Sequence, residues 1–121
     1  MAGQIVHNVT HLAISEVDLS DFKEDLIILP ALAELISLSV EVLEVSDAGV
    51  KLDLGFEGQR SVLADDVDLS IAGVNVCNVA LTLSKAEVLK AQITGTAQKG
   101  KFKVRCQYFY PSTILMEYGG L

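Results

Sequence analysis

Apolar and polar residues alternate in two runs, 36–42 and 50–56, which flank the sequence SDAG at residues 46–49. A period of two places successive side chains on opposite faces of a strand, so each run predicts a strand with one apolar and one solvent-facing surface. Asp and Gly favour a tight turn, which predicts a β-hairpin with these runs as its arms. The adjacent apolar residues Val42 and Leu43 shift the phase and predict a β-bulge.

The clearest alternation lies near the carboxyl end of the chain and is ended by Pro111. Its apolar face is formed by Phe102, Val104, Cys106, Tyr108 and Tyr110, and its polar face by Lys101, Lys103, Arg105 and Gln107. Weaker alternation predicts strands near residues 4–19, 67–69, 79–83, 89–93 and 113–118. The continuous apolar run 26–29, stopped by Pro30, predicts a strand buried on both faces.

Other segments predict turns and loops. Residues 31–35 favour a helical turn, Ser61 predicts the cap of a short helix reaching Asp65, and residues 72–75 and 95–100 predict loops, the latter joining a hairpin. Short strands with turn signals about every ten residues predict an all-β fold. We expect one domain over residues 1–121, a β-sandwich or jelly-roll-like barrel of short antiparallel strands, with residues 1–23 forming an arm or a variable first strand.

One short sequence recurs within the chain. Val17-Asp18-Leu19-Ser20 returns as Val67-Asp68-Leu69-Ser70. Four residues are too few to establish a duplication.

The composition favours a protein made and kept in a cytosol. Half of the residues are apolar and the mean hydropathy is +0.42, but no apolar run approaches the ~20 residues that span a bilayer. The amino end lacks the basic start and apolar stretch of a signal peptide. Cys77 and Cys106 are therefore expected as buried free thiols, with a disulfide as the alternative.

The charge of the chain is acidic and unevenly distributed. The net charge of −7 argues against nucleic acid as a main partner. Residues up to Asp68 include 14 acidic and 3 basic side chains, whereas the rest of the chain includes 2 acidic and 6 basic ones. This asymmetry indicates either two solvated faces or complementarity between neighbouring subunits.

No stretch of the chain carries a complete catalytic or ligand-binding motif. Residues 95–101 nearly match a P-loop, but Phe102 stands where the motif needs Ser or Thr, and a strand pattern follows instead of a helix. His7 and His11 lack a recognisable third metal ligand. The carboxylates Asp65, Asp66 and Asp68 lack the spacing of a calcium loop. We therefore predict no enzyme, no cofactor and no metal site.

The basic row Lys101, Lys103 and Arg105 is the candidate interaction site. On a strand these side chains project from one face about 7 Å apart. They form either a solvated outer face or a docking stripe for an acidic surface, which includes another copy of the chain. Single-stranded nucleic acid would require aromatic residues among the charges, and Phe102, Tyr108 and Tyr110 point the other way.

Several segments resemble small β-rich structural proteins of tailed bacteriophages. The resemblance covers most of the chain from Ile27 onward and rests on Leu29-Pro30-Ala31, Leu52-Asp53-Leu54-Gly55, Leu63-Ala64-Asp65-Asp66-Val67-Asp68-Leu69 and Lys103-Val104-Arg105-Cys106-Gln107-Tyr108. It implies a virion component of the capsid decoration or cement type. Such proteins commonly sit as homotrimers on the capsid surface and join neighbouring capsomers, so the implied partners are further copies and the major capsid protein.

Two other functions remain open from the sequence. The first is another position in the virion, such as the neck, the tail or a fibre base. The second is a cellular β-barrel that binds a small ligand, which predicts a monomer with an apolar cavity.

Overall fold

The computed structural model describes residues 3–111 and 113–116. Within these residues the chain forms a 3-10 turn, Leu19–Asp21, and eleven strands. The strands are β1 (Gln4–His7), β2 (Thr10–Asp18), β3 (Asp25–Leu29), β4 (Glu34–Glu44), β5 (Lys51–Phe56), β6 (Gln59–Asp68), β7 (Gly73–Cys77), β8 (Leu81–Thr82), β9 (Glu87–Thr94), β10 (Lys101–Phe109) and β11 (Thr113–Met116). The predicted last strand is confirmed as far as Met116, and residues 117–118 lie outside the described part.

Two antiparallel sheets pack face to face and confirm the predicted all-β sandwich. The five-stranded sheet has the order β2-β10-β4-β7, with β8 also pairing to β4. The four-stranded sheet has the order β3-β9-β5-β6. The sandwich is not a closed barrel, because the two sheets keep separate hydrogen-bonded paths and do not close into one cylinder.

The core lies between the two sheets and is formed by the apolar half of each alternating pattern. Its largest fully buried side chains include Phe102, Leu38, Leu52, Leu54 and Leu89. Because each strand contributes every second residue to this layer, the apolar rows predicted for residues 38–42, 50–56 and 102–106 lie in the interior. The prediction is wrong for Ile36, which is 43% exposed, because a register shift against β10 turns Leu35 inward instead.

The predicted hairpin over residues 36–56 is wrong, although both of its strands exist. β4 pairs with β10, β7 and β8, whereas β5 pairs with β6 and β9 in the opposite sheet. The connecting residues 45–50 cross the roughly 10 Å between stacked sheets. The predicted bulge does occur, but against β10: Phe102 opposes Val42 and Lys101 opposes Glu44, which leaves Leu43 as the extra residue.

Four further local predictions are wrong because tertiary pairing overrides local signals. Ser61 and Asp65 lie within strand β6 and not in a helix, and β7 begins at Gly73 inside a predicted loop. β3 is an edge strand with Ile28 80% exposed, so it is buried on one face only. Residues 95–100 do not close a hairpin, since β9 and β10 belong to different sheets.

Four connections between the sheets meet at one end of the sandwich. They follow β2, β4, β6 and β9, and backbone hydrogen bonds join them to one another. The Leu19 amide donates to the Gly100 carbonyl at 2.9 Å, and the Ser46 amide donates to the Leu69 carbonyl at 2.9 Å. The Leu69 amide donates to the Val50 carbonyl at 3.1 Å. Each crossing segment therefore satisfies backbone groups of another.

The recurring Val-Asp-Leu-Ser sequence has the same structure at both of its positions. Asp18 accepts hydrogen bonds from the backbone amide and the hydroxyl of Ser20 at 2.9 and 2.7 Å. Asp68 accepts the same two bonds from Ser70 at 2.9 and 2.6 Å. Each motif ends a strand, buries its Leu and leads the chain to the other sheet. The short repeat thus forms the same turn at two places where the chain passes from one sheet to the other.

A small ribbon continues the edge of the five-stranded sheet. β1 and β11 pair along Gln4–Met116 to His7–Thr113, directly beyond the β2–β10 pair. The segment 1–23 thus includes a ribbon strand, an edge strand of the sandwich and the 3-10 turn. No helix of the described residues is long and apolar enough to cross a membrane.

The two cysteines lie too far apart for a disulfide. Cys106 on β10 and Cys77 on β7 pair with Leu38 of β4 from opposite sides. Two strand spacings separate them by roughly 10 Å, beyond the ~7 Å between Cα atoms that a disulfide tolerates. Both thiols are free, as the sequence predicts, and Cys106 is buried whereas Cys77 is half-buried.

The first prediction concerns acid stability. Hydrogen bonds from Ser70 and the ammonium of Lys51, 3.0 Å away, hold the pKa of Asp68 at about 2, below its ordinary value of 3.8. Because the folded-state pKa is lowered, this stabilisation is complete above about pH 4 and is lost as the pH falls towards 2. We expect Asp68→Asn to flatten the fall in melting temperature over this range. An unchanged pH profile in the variant would contradict this role.

The second prediction compares two glycines with positive φ. A Cβ at Gly95 would lie 2.8 Å from the Gly49 carbonyl oxygen, whereas a Cβ at Gly58 would have no neighbour within 4 Å. Gly58→Ala should cost about 1–2 kcal/mol for its left-handed backbone, and Gly95→Ala a further ~1–3 kcal/mol for overpacking. Denaturant unfolding measures both. Equal losses would show that the two crossing loops are not tightly packed.

The third prediction concerns thiol reactivity. Burial raises the pKa of both thiols, that of Cys106 to about 11. Because the thiolate is the reactive species, an aromatic disulfide reagent should modify Cys77 slowly in the native protein and Cys106 only after unfolding. Cys77→Ser should abolish the native reaction. An unreduced, denatured sample without reactive thiols would instead demonstrate a disulfide.

Candidate functional site

The predicted basic row lies on the outer face of the five-stranded sheet, along its inner strand β10. Lys103 Nζ lies 3.4 Å from Glu16 Oε1 on β2, and Arg105 Nη1 lies 2.8 Å from Glu41 Oε1 on β4. Lys101 is exposed and is in register with Asp18 and Glu44. The basic row is therefore flanked on both sides by carboxylates of the same chain.

These pairs explain the uneven charge of the sequence. Basic side chains from the second half of the chain meet acidic ones from the first half within a single sheet. Exposed ion pairs of this kind each contribute about 0–1 kcal/mol, so they leave the row accessible to a partner. Docking through Lys101, Lys103 and Arg105 stays a prediction.

A second charged cluster lies where β9 meets β3 and the loop after β5. Lys90, whose side chain is 14% exposed, has its Nζ 2.6 Å from Asp25, 3.6 Å from Glu24 and 3.8 Å from Glu57. Arg60 binds the same Glu24 and Glu57 at 3.1 and 3.5 Å. The pKa of Lys90 is raised, chiefly by its hydrogen bond to Asp25. This network fastens the edge strand β3 to its sheet.

Three carboxylates, Asp53, Asp65 and Asp66, gather on the outer side of the four-stranded sheet. Their ligand atoms lie within 4.8 Å of one another, and the Asp66 amide donates to Asp53 Oδ1 at 2.8 Å. The neighbouring charge of Asp66 raises the pKa of Asp65, with partial burial and Asp53 adding to the effect. Exposed acidic groups are common without an ion, so the cluster alone does not define a metal site.

The carboxylate set considered from the sequence differs from the set in the structure. Asp65 and Asp66 do lie together, but Asp68 turns away to bind Ser70 and Lys51. Asp53 takes its place because β5 and β6 are paired. Nothing in the sequence spacing indicated Asp53, since the register between strands brings it there.

The two histidines lie on different strands and serve the ribbon end of the molecule. His11 stacks on Tyr108 with ring centroids 5.4 Å apart and meets Tyr110 edge-on at 5.7 Å. His7 lies on β1. Within residues 3–111, the one group of three possible metal ligands is the carboxylate cluster, which includes neither histidine.

The segment that nearly matches a P-loop is occupied by the chain's own carboxylate. Asp47 accepts hydrogen bonds from the backbone amides of Gln98 at 2.7 Å and Lys99 at 3.3 Å. These bonds lower the pKa of Asp47. The Gln98 and Lys99 amides, which in a P-loop would bind phosphate, thus join the loop after β9 to the loop after β4. The Asp47 carboxylate, predicted to cap its own turn, binds the loop after β9.

A surface groove of about 500 Å³ lies beside the second half of β9. Leu19, Phe22, Arg60 and Ile93 contribute to its walls. It is open to solvent, unlike the apolar cavity that a ligand-binding barrel predicts.

The fold is shared with proteins of phage capsids. This chain aligns with a chain in the acid-stable capsid structure of Helicobacter pylori bacteriophage KHP30 at 27% identity, with a TM-score of 0.80. The alignment covers 97% of this chain and 100% of that one. A chain of the cyanophage Pam1 capsid asymmetric unit shares the fold at 12% identity and a TM-score of 0.69, over 84% and 85% of the two chains.

Two further comparisons found no match to this chain. No protein-family model and no curated protein matches the chain. The structural likeness, which includes a neighbour aligned over almost its whole length, confirms the resemblance to structural proteins of phage virions.

Proposed function

We propose that this chain is a capsid decoration protein of a tailed phage. In this proposal it is made in the host cytoplasm, assembles as a homotrimer on the outer surface of the capsid, and joins neighbouring copies of the major capsid protein. The KHP30 likeness carries the proposal. Because that alignment covers 97% of this chain and 100% of the other, the neighbour is a small separate chain of about the same length.

The architecture suits a bracing role. Two packed sheets make a stiff body, and the strand edges provide repeated surfaces for neighbouring subunits. Small contacts add up because the capsid repeats them at many symmetric positions, while charge complementarity fixes their register. Lys101, Lys103 and Arg105 on the outer face of the five-stranded sheet are the proposed polar contact.

The comparisons favour this function over the alternatives. Both neighbours come from capsid structures, which supports a place in the shell over the neck, the tail or a fibre base. Capsid proteins are generally not enzymes. The open sandwich and its solvent-exposed groove do not match the enclosed apolar cavity expected for a small-ligand barrel.

Co-sedimentation with capsids tests the proposed function. The purified chain is mixed with capsid shells of its phage that lack it, and the pelleted protein is measured against the number of capsid subunits. We expect saturable binding at a fixed ratio and greater resistance of the shells to heat or chaotropic salt. A chain that stays in the supernatant, or that binds only to tail structures, would contradict the proposal.

Charge reversal tests the basic row, and the internal ion pairs supply the control. Lys103→Glu should weaken capsid binding by about tenfold or more if the row meets an acidic surface, because like charges then oppose each other. Lys103→Glu with Glu16→Lys restores the pair inside the chain but not the original charge pattern.

The double variant separates the two roles of Lys103. Binding that remains weak in the double variant assigns the loss to the partner surface. Binding that returns to the wild-type level assigns it to the strand pair, and unchanged binding in the single variant would rule out docking through this residue.

A further inference from the structure

The chain contains two long segments without a charged side chain. Residues 1–15 and 69–84 include no Asp, Glu, Lys or Arg, although 21% of the whole chain is charged. The fold places residues 10–15 of the first segment and strands β7 and β8 of the second at opposite edges of the same five-stranded sheet. The first supplies β1 and most of β2, and the second supplies β7 and β8.

Both edges expose aliphatic side chains on the same face of the sheet. Leu12 and Ile14 on β2 are 58% and 52% exposed, and Val74 and Val76 on β7 are 57% and 75% exposed. The pairing register places all four on the outer face, because they share rows with the outward-facing side chains of β10 and β4. Between them lies the charged band formed by β10 and its flanking carboxylates.

The other sheet shows how this protein protects an edge. β6 carries two register shifts, the charged pair Asp65 and Asp66, and a left-handed backbone at Asp66 with φ of 54°. β3 carries a register shift near Asp25, which binds Lys90, and it ends at Pro30. Charges, bulges and Pro of this kind prevent strand addition. The segments Thr10–Ile14 and Gly73–Cys77 contain no charged residue, no register shift and no Pro.

The strand directions allow the two edges to meet. β2 and β7 run in opposite directions, because each neighbouring pair in the order β2-β10-β4-β7 is antiparallel. A second copy set beside the first therefore brings its β2 antiparallel to β7, with the outer faces on the same side. In the described residues each of these strands pairs with the sheet along one side only.

We infer that the β7 edge of one copy docks against the β2 edge of a second copy. The inference rests on the proposed function, since a bracing protein acts in many copies, and it names the contact between those copies. One antiparallel register sets Val76 against Leu12 and Val74 against Ile14. Moving the register by two residues sets Val74 against Glu16 instead.

Charge favours this contact over contacts through the other sheet. In the inferred register residues 73–77 face residues 11–15, and neither segment carries a charged side chain, so no ion loses its hydration there. Glu16 and Asp18 of β2 lie beyond the paired segment. The edges of the four-stranded sheet would bury Asp25 or the Asp65 and Asp66 pair. The charged band with Lys101, Lys103 and Arg105 stays outside the contact and accessible to the capsid.

The contact also restricts the symmetry of the assembly. A β2 edge that meets a β7 edge is a head-to-tail interface, which uses two different surfaces of each copy. It closes only as a ring, and the smallest ring beyond a two-fold dimer contains three copies. The proposed homotrimer is therefore the smallest assembly that satisfies every edge.

Disulfide trapping tests the register. Ile14→Cys combined with Val74→Cys, in a Cys77→Ser background, places thiols across the inferred contact, where facing Cα atoms in antiparallel strands lie ~4.5–5.5 Å apart and can form a disulfide. We expect oxidation to link successive copies. The matched control is Ile14→Cys with Ile28→Cys, because Ile28 is 80% exposed but lies on β3. Equal linkage in the control, or none in the test pair, would overturn the inference.

A charge placed on the edge tests the assembly itself. We expect wild-type chains to form a ring and Val76→Lys chains to be monomers, because the variant places an ammonium group in the contact. The variant should still fold, since the Val76 side chain is exposed in the single chain. Light scattering over a concentration series measures both masses. Ile28→Lys, the matched control, should leave the ring intact. A two-fold dimer, a wild-type monomer at every concentration, or an assembly that survives Val76→Lys would each contradict the inferred contact.

These measurements use purified protein and are separate from capsid binding. A linked ring that fails to bind capsids removes the decoration function and leaves the edge contact standing. Capsid binding that is unaffected by Val76→Lys, without linkage of the test pair, removes the edge contact and leaves the function standing.

Discussion

The structure depends on the hydrogen bonds that join its crossing loops at one end of the sandwich. Asp47 accepts the Gln98 and Lys99 amides, Gly100 accepts from Leu19, and Leu69 links residues 46 and 50. Each of these segments leaves one sheet and enters the other. Because buried backbone groups need partners, the loops stabilise one another and thereby fix which strands belong to which sheet.

This constraint also accounts for the polar groups of two sequence motifs. The amides in the P-loop-like segment bind Asp47, and the two Val-Asp-Leu-Ser sequences bind their own Ser residues. Most of the charged side chains that looked available for a partner also meet each other across neighbouring strands. The outer face of the five-stranded sheet has a charged centre that lies between the exposed aliphatic side chains of β2 and β7.

An outer face of this kind suits the proposed function, in which many copies of the chain bind to one capsid. The chain shares its fold with the KHP30 and Pam1 capsid chains, although no protein-family model and no curated protein matches it. A sandwich tolerates extensive substitution so long as the inward rows stay apolar, since volume and pattern suffice to keep a core. The shared feature is therefore the arrangement of layers and edges.

Alternation of apolar residues was enough to locate strands β4, β5, β9 and β10, most of their inward rows and the all-β class, because it reports which side chains are buried. It did not locate β7 or most of β6, which local signals assigned to a loop and a helix. The sequence also indicated the bulge at Leu43, the free thiols and the virion resemblance. It could not determine the partner of each strand. The patterns of β4 and β5 fit a hairpin equally well, and only packing of the two sheets separated them. Tertiary pairing also brought Asp53 to Asp65 and Asp66, and it placed strands from the two uncharged segments at the edges of one sheet. The physical reason is that a period of two specifies which face a side chain occupies, whereas the neighbouring strand is decided by tertiary pairing.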